Sequence, residues 1–219
     1  TLAVTDDITR NYGVQAYYRN VLVLAHAYPM IAVYDDEGWN AEIPPQSGDV
    51  TFGDMSFFIV TVEAPKDVTL VGSGREISHQ AERNGNRQTV KYEAGPARDF
   101  YLAASPEFKV FTKEVNGIKL RFHTRYNLQA GAEFALDVMA RAIQDFSARY
   151  APYPYAELDI VSTPTLALGI EYPGMIAITD RIVAPDNRYL EATVVHEVGH
   201  QWFYNLVGND QLDDPWLDE

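Results

Sequence analysis

The 219-residue sequence predicts an α+β protein: an antiparallel β sandwich or saddle over residues 1–128, then an α/β unit over residues 129–219. Three observations predict it. Period-two alternation and Asn-Gly turns fill the first stretch, and a three-to-four-residue apolar period begins just after Leu128. The charge changes at the same place. Residues 1–128 hold 13 basic and 16 acidic side chains, net −3, whereas residues 129–219 hold 4 and 15, net −11.

The strands follow from the pattern. Residues 21–25 and 30–34 are short apolar runs, and Phe58, Val60 and Val62 alternate with Ile59, Thr61 and Glu63. Asn84-Gly85 lies between runs 76–82 and 88–93, and Asn116-Gly117 between runs 109–115 and 118–123. Each pair tolerates positive φ at two successive residues, which a two-residue hairpin loop requires. Gly72, Gly74, Gly95, Pro96 and Pro106 punctuate the remaining strands. His26, His79 and His123 lie far apart, and each is expected to be an ordinary strand or loop histidine.

Past Leu128, the residues Phe134, Val138, Met139, Ala142, Ile143 and Phe146 form the stripe of an amphipathic helix over 130–150, which Pro152 and Pro154 end. Residues 157–162 and 175–179 read as strands. A second helix is expected from Asn187 or Arg188, burying Leu190, Val194, Val195 and Val198 and stopping at Gly208. Asp213-Asp214-Pro215 predicts a third, with a carboxylate cap before a proline in its first turn.

Composition excludes several classes. With 17 basic against 31 acidic residues the net charge is −14, which argues against polyanions, so no nucleic acid is expected as partner. At 47% hydrophobic and 12% aromatic residues the chain has material for a packed core. The absence of cysteine removes disulfides, thiolate ligands and thiol nucleophiles. The longest apolar stretch, 21–33, is broken by His26 and Pro29 and is too short to span a bilayer. An acidic second half favours cationic substrates by steering.

The chemistry is concentrated at His196-Glu197-Val198-Gly199-His200. On a helix, His196 and His200 stand one turn apart on one face, where both reach a single zinc ion. Glu197, offset by about 100° from His196, is placed to act as a general base toward a water that zinc polarises. A catalytic zinc needs a third protein ligand and an open position, and Glu219, separated from His200 by eighteen residues, is the candidate. Between Arg188 and Glu219 there is no Lys or Arg to neutralise this cluster, so it invites one zinc cation per chain.

The run 196–219, HEVGHQWFYNLVGNDQLDDPWLDE, resembles the zinc aminopeptidases of the gluzincin clan, the family that includes alanyl aminopeptidases and leukotriene hydrolase. Gly169-Ile170-Glu171-Tyr172-Pro173 is similar to that family's exopeptidase motif, usually Gly-Ala-Met-Glu-Asn; weaker echoes are Tyr153-Pro154 and Arg98-Asp99-Phe100. The resemblance implies that residues 129–219 are the first half of a thermolysin-like zinc-protease domain. It further implies that Glu171 binds the free α-amino group of a peptide, with Gly169 and Ile170 on the strand that holds the peptide backbone. The expected partner is therefore a peptide with a free N-terminus.

The sequence also departs from the pattern. Ile170 replaces the usual Met, Tyr172-Pro173 replaces Asn-Trp, and Tyr204 stands where many members have Gly. The family's oxyanion-stabilising tyrosine and helical C-terminal domain would lie beyond residue 219, so the chain is expected to be a fragment, inactive or nearly so alone. Self-association through apolar faces around Trp202 and Val161 is also expected. A thermolysin-like endopeptidase, an epoxide hydrolase of the same family and a non-catalytic binding module are the alternatives.

Overall fold

The structure, a computed structural model, describes residues 4–41, 43, 51–83 and 85–218. Twelve strands and two helices are defined among them. A four-stranded antiparallel sheet has the order β1-β2-β7-β4, built from β1 (Gln15–Tyr18), β2 (Val21–Ala25), β4 (Thr69–Gly72) and β7 (Tyr101–Ser105). A three-stranded antiparallel sheet has the order β3-β6-β5, built from β3 (Ser56–Pro65), β5 (Arg75–Ala81) and β6 (Arg87–Ala97). The fold is α+β with a sandwich-like first part, as the alternation predicts.

The third sheet, of order β11-β12-β10-β9-β8, combines β8 (Phe108–Val115), β9 (Ile118–Arg125), β10 (Glu157–Thr163), β11 (Gly169–Tyr172) and β12 (Met175–Thr179). Strand β10 runs parallel to both β9 and β12, while β11 returns antiparallel to β12 and forms an edge. Two strands before residue 128 thus join three beyond it. The β8–β9 loop is the expected hairpin: Val115 pairs Ile118 around Asn116 and Gly117, whose φ values are +51° and +80°. At the other predicted hairpin β5 pairs β6, although Asn84 lies outside the described residues.

Alternation assigns each face of these sheets to a different core. Leu120, Phe122, Leu158, Ile160, Ile176 and Ile178 face helices α1 (Gln129–Arg149) and α2 (Arg188–Gly199), meeting Leu136, Met139 and Ile143 of α1 and Leu190, Val194 and Val198 of α2. Val161, Met175 and Ala177 point the opposite way, toward Val21, Val23, Val71 and Tyr101 of the four-stranded sheet. Leu70 and Leu102, on that sheet's far side, pack with Val90, Tyr92 and Phe58 of the three-stranded one. Each buried side chain of this size contributes about 1.5–3 kcal/mol.

Several expectations are corrected. Among the described residues the run 30–34 forms no strand: Pro29 has no N–H to donate, Ile31 is exposed, and Tyr34 only bridges Trp39 around a turn. Helix α2 starts at the Asn187 cap, whose side chain accepts from Tyr189 N at 2.9 Å, but ends at Gly199 rather than Gly208. A compact set of turns replaces its last two turns, with Val207 N bonded to Trp202 O at 2.8 Å and Tyr204 N to Val207 O at 2.9 Å. Trp202 drives this, burying its ring and donating its indole N–H to Ala151 O at 2.8 Å. Val195 is exposed. Gly208 serves close approach instead: a Cβ there would lie 2.4 Å from the Arg98 guanidinium.

The predicted third helix is a single 3-10 turn, Pro215–Leu217, with proline in its first turn but no side-chain cap from Asp214. Asp210 holds the preceding turn, accepting from Leu212 N at 3.0 Å. Trp202 and Val161, around which self-association is expected, are both buried within the chain.

Candidate metal centre

The two histidines of the helical motif do converge. His196 and His200 present Nε2 atoms 3.0 Å apart, their ring planes nearly perpendicular at 88°. His196 is exposed and His200 buried, so the pair has one open side. On its other side His200 Nδ1 lies 3.2 Å from the Phe203 carbonyl oxygen and 3.0 Å from Oδ1 of Asp218. Those acceptors hold the ring proton on Nδ1 and leave the Nε2 lone pair directed at His196.

Nearby carboxylates make the ring more basic. Burial alone would lower the His200 pKa, but the Asp218 hydrogen bond, the Glu197 and Asp218 charges and the Phe203 carbonyl together hold it above the usual imidazole value. Glu197 is buried on α2 and lies against β11, where a Cβ on Gly169 would come within 2.2 Å of its Oε1. Only a residue without a side chain lets the carboxylate occupy that place.

Two residues further along β11, Glu171 emerges on the same face as Gly169 and is buried. Glu171, His200 and Asp218 offer potential ligand atoms all within 4.8 Å of one another. Ile170 points the other way, into the apolar cluster shared with Met175 and Tyr101, so only its backbone is available at the edge. A pocket of about 440 Å³ opens between strand and helix, lined by Gly169, Glu171, Tyr189, Thr193, His196 and Glu197.

The structure therefore brings together five of the seven residues singled out from the sequence, Gly169, Glu171, His196, Glu197 and His200; Ile170 turns its side chain away, and Glu219 lies outside the described residues. Sequence reasoning missed Asp218. The available signal was chemical: an imidazole that ligates through one nitrogen needs an acceptor for the other, and a carboxylate beside the expected third ligand is well placed to supply it. The donor set fits zinc, offering imidazole and carboxylate groups within a few ångströms on one open pocket.

Comparison with known proteins finds a peptidase family and named relatives. Residues 134–219 match the Peptidase family M1 domain. Among curated relatives, the chain is 30% identical over 175 residues to Aminopeptidase M1 of Arabidopsis thaliana, covering 74% of this chain and 20% of that protein. It is 29% identical over 175 residues to Aminopeptidase M1-B of Oryza sativa subsp. japonica, with the same coverages, and 30% identical to Aminopeptidase N of Haemonchus contortus over 73% of this chain and 18% of that protein. The histidine pair thus lies within the stretch that matches a peptidase domain. Through residues 134–219 the chain belongs to peptidase family M1, the family its motifs resemble. It spans about a fifth of the length of these relatives.

Proposed function

We propose that the protein is a zinc aminopeptidase, its residues 129–219 forming part of a thermolysin-like catalytic domain. One observation carries the reading: His196, whose Nε2 converges with that of His200, lines a pocket together with Glu197 and Glu171. His196, His200 and Glu219 would hold the zinc. Zinc, when bound, supplies Lewis-acid polarisation of the scissile carbonyl and acidifies a water to near neutral pKa.

The chain's own residues do the rest. Asp218 and the Phe203 carbonyl fix the His200 tautomer. Glu197, held against Gly169, takes the proton from the attacking water and returns it to the departing amide nitrogen. Glu171 accepts hydrogen bonds from the protonated N-terminus, so that the first peptide bond falls at the metal. The edge strand β11 offers backbone groups to an extended peptide. The net charge of −11 over residues 129–219 draws such a cation in.

The test is hydrolysis of an alanine or leucine anilide by the full-length protein, with added zinc, with a chelator and with Glu171→Ala. Chelator-sensitive release that drops about 100-fold on removing Glu171 is expected. Cleavage of N-acetylated peptides at comparable rates would replace the reading by an endopeptidase. Bound zinc without hydrolysis of either substrate would favour an epoxide hydrolase or a binding module.

A further inference from the structure

Gln201 is completely buried, just past the end of α2 and directly after His200, and its polar head bonds outside that helix. Its Oε1 accepts from Gly174 N at 2.9 Å, and its Nε2 donates to Tyr172 O at 3.1 Å. Both partners belong to the turn that joins β11 to β12, where Tyr172 pairs Met175 around Pro173 and Gly174. Pro173 has no N–H, and Gly174 sits at φ +70°, so the turn presents one carbonyl and one amide hydrogen, which a carboxamide can satisfy together.

The turn is otherwise held mainly from the opposite side. Tyr172 stacks on Tyr101 of the four-stranded sheet with ring centroids 4.3 Å apart. Gln201 is thus a direct tie between the hairpin tip and the segment carrying the second histidine. Glu171 precedes Tyr172 in the chain, and its carboxylate lies within 4.8 Å of a His200 ring nitrogen.

We infer that Gln201 is a positioning residue that sets the distance from the Glu171 carboxylate to the histidine pair, and so sets the selectivity for a free α-amino group. The inference rests on the amine-anchor role proposed for Glu171. A carboxylate that measures one residue from the metal works only if its strand is registered against the metal helix. Misplacement by about 1 Å costs up to roughly 100-fold in rate.

The experiment compares the full-length protein with Gln201→Leu, which loses both bonds, and Gln201→Glu, which keeps the bulk and the acceptor for Gly174 N. The readouts are zinc content, kcat and KM for an alanyl anilide, and kcat/KM for the propionyl anilide that lacks only the amine. Gln201→Leu is expected to keep its zinc, to raise KM for the alanyl substrate, and to shrink the alanyl-to-propionyl ratio about 10- to 100-fold. Gln201→Glu should fall between, and it carries the test if Gln201→Leu does not fold. Variants that lose zinc or kcat with an unchanged ratio would overturn the inference. Glu171→Ala is measured alongside. If it leaves the ratio unchanged, the amine-anchor reading fails and takes this inference with it; if it collapses the ratio while both Gln201 variants preserve it, only the role of Gln201 falls.

Discussion

Tyr204 donates its hydroxyl hydrogen to Oδ2 of Asp99 at 2.6 Å, joining a residue four positions past His200 to one 105 positions earlier. His26 Nε2 shares that oxygen at 3.1 Å, and Arg98 Nε donates to the Tyr204 carbonyl at 2.6 Å. The exit of the metal helix is thereby fastened to the β-rich part of the chain. Tyr204 is buried at φ +104°, a backbone region that favours glycine, and these bonds hold it there.

Tyr204→Phe should therefore destabilise the protein by about 1–3 kcal/mol, because it leaves a buried carboxylate oxygen one donor short. Urea unfolding measures this directly. An unchanged midpoint would mean that the hydroxyl contributes nothing.

Gly169→Ala should leave zinc bound but lower kcat at least about tenfold. The added methyl would fall 2.2 Å from Glu197 Oε1, at the end of a side chain that can swing away, so stability changes little while the proposed base is displaced. Metal analysis and steady-state kinetics on the full-length protein separate the two effects.

Asp218→Ala should weaken zinc binding by about 10- to 100-fold, since the acceptor that orients His200 is removed. Competition against a chromogenic chelator reads the affinity. Equal affinity would assign His200's orientation to the Phe203 carbonyl alone.

Asp159 governs an acid-sensitive part of the stability. Burial alone would raise its pKa, but hydrogen bonds from Arg121 at 2.5 and 2.7 Å and from His123 hold it below the usual carboxylate value. Its folded pKa is thus lower than its unfolded value of about 3.9, so the unfolded chain binds more protons and the stabilisation is present above about pH 4 and lost as pH falls through the folded pKa. Asp159→Asn should flatten that acid limb and cost about 1–3 kcal/mol near neutrality, because Arg121 keeps only Glu157 as a carboxylate partner. Unfolding free energies between about pH 2 and 7 test both.

The sequence by itself determined whatever depends on near neighbours. Helical spacing paired His196 with His200, the Asn116-Gly117 loop set its hairpin, and the apolar stripe from Phe134 to Phe146 defined α1. Where long-range packing competes with local preference, only the tertiary structure decided. Helix α2 ends nine residues before the expected glycine, where Trp202 buries its ring against Phe146 and Tyr153. Gly208 proved to be a seat for Arg98, and His26 and His123 found Asp99 and Asp159 across 73 and 36 residues. Residue spacing along one helix turn is fixed by covalent geometry and hydrogen bonding. Which distant carboxylate meets an imidazole is fixed by how sheets and helices stack, and no local pattern encodes it.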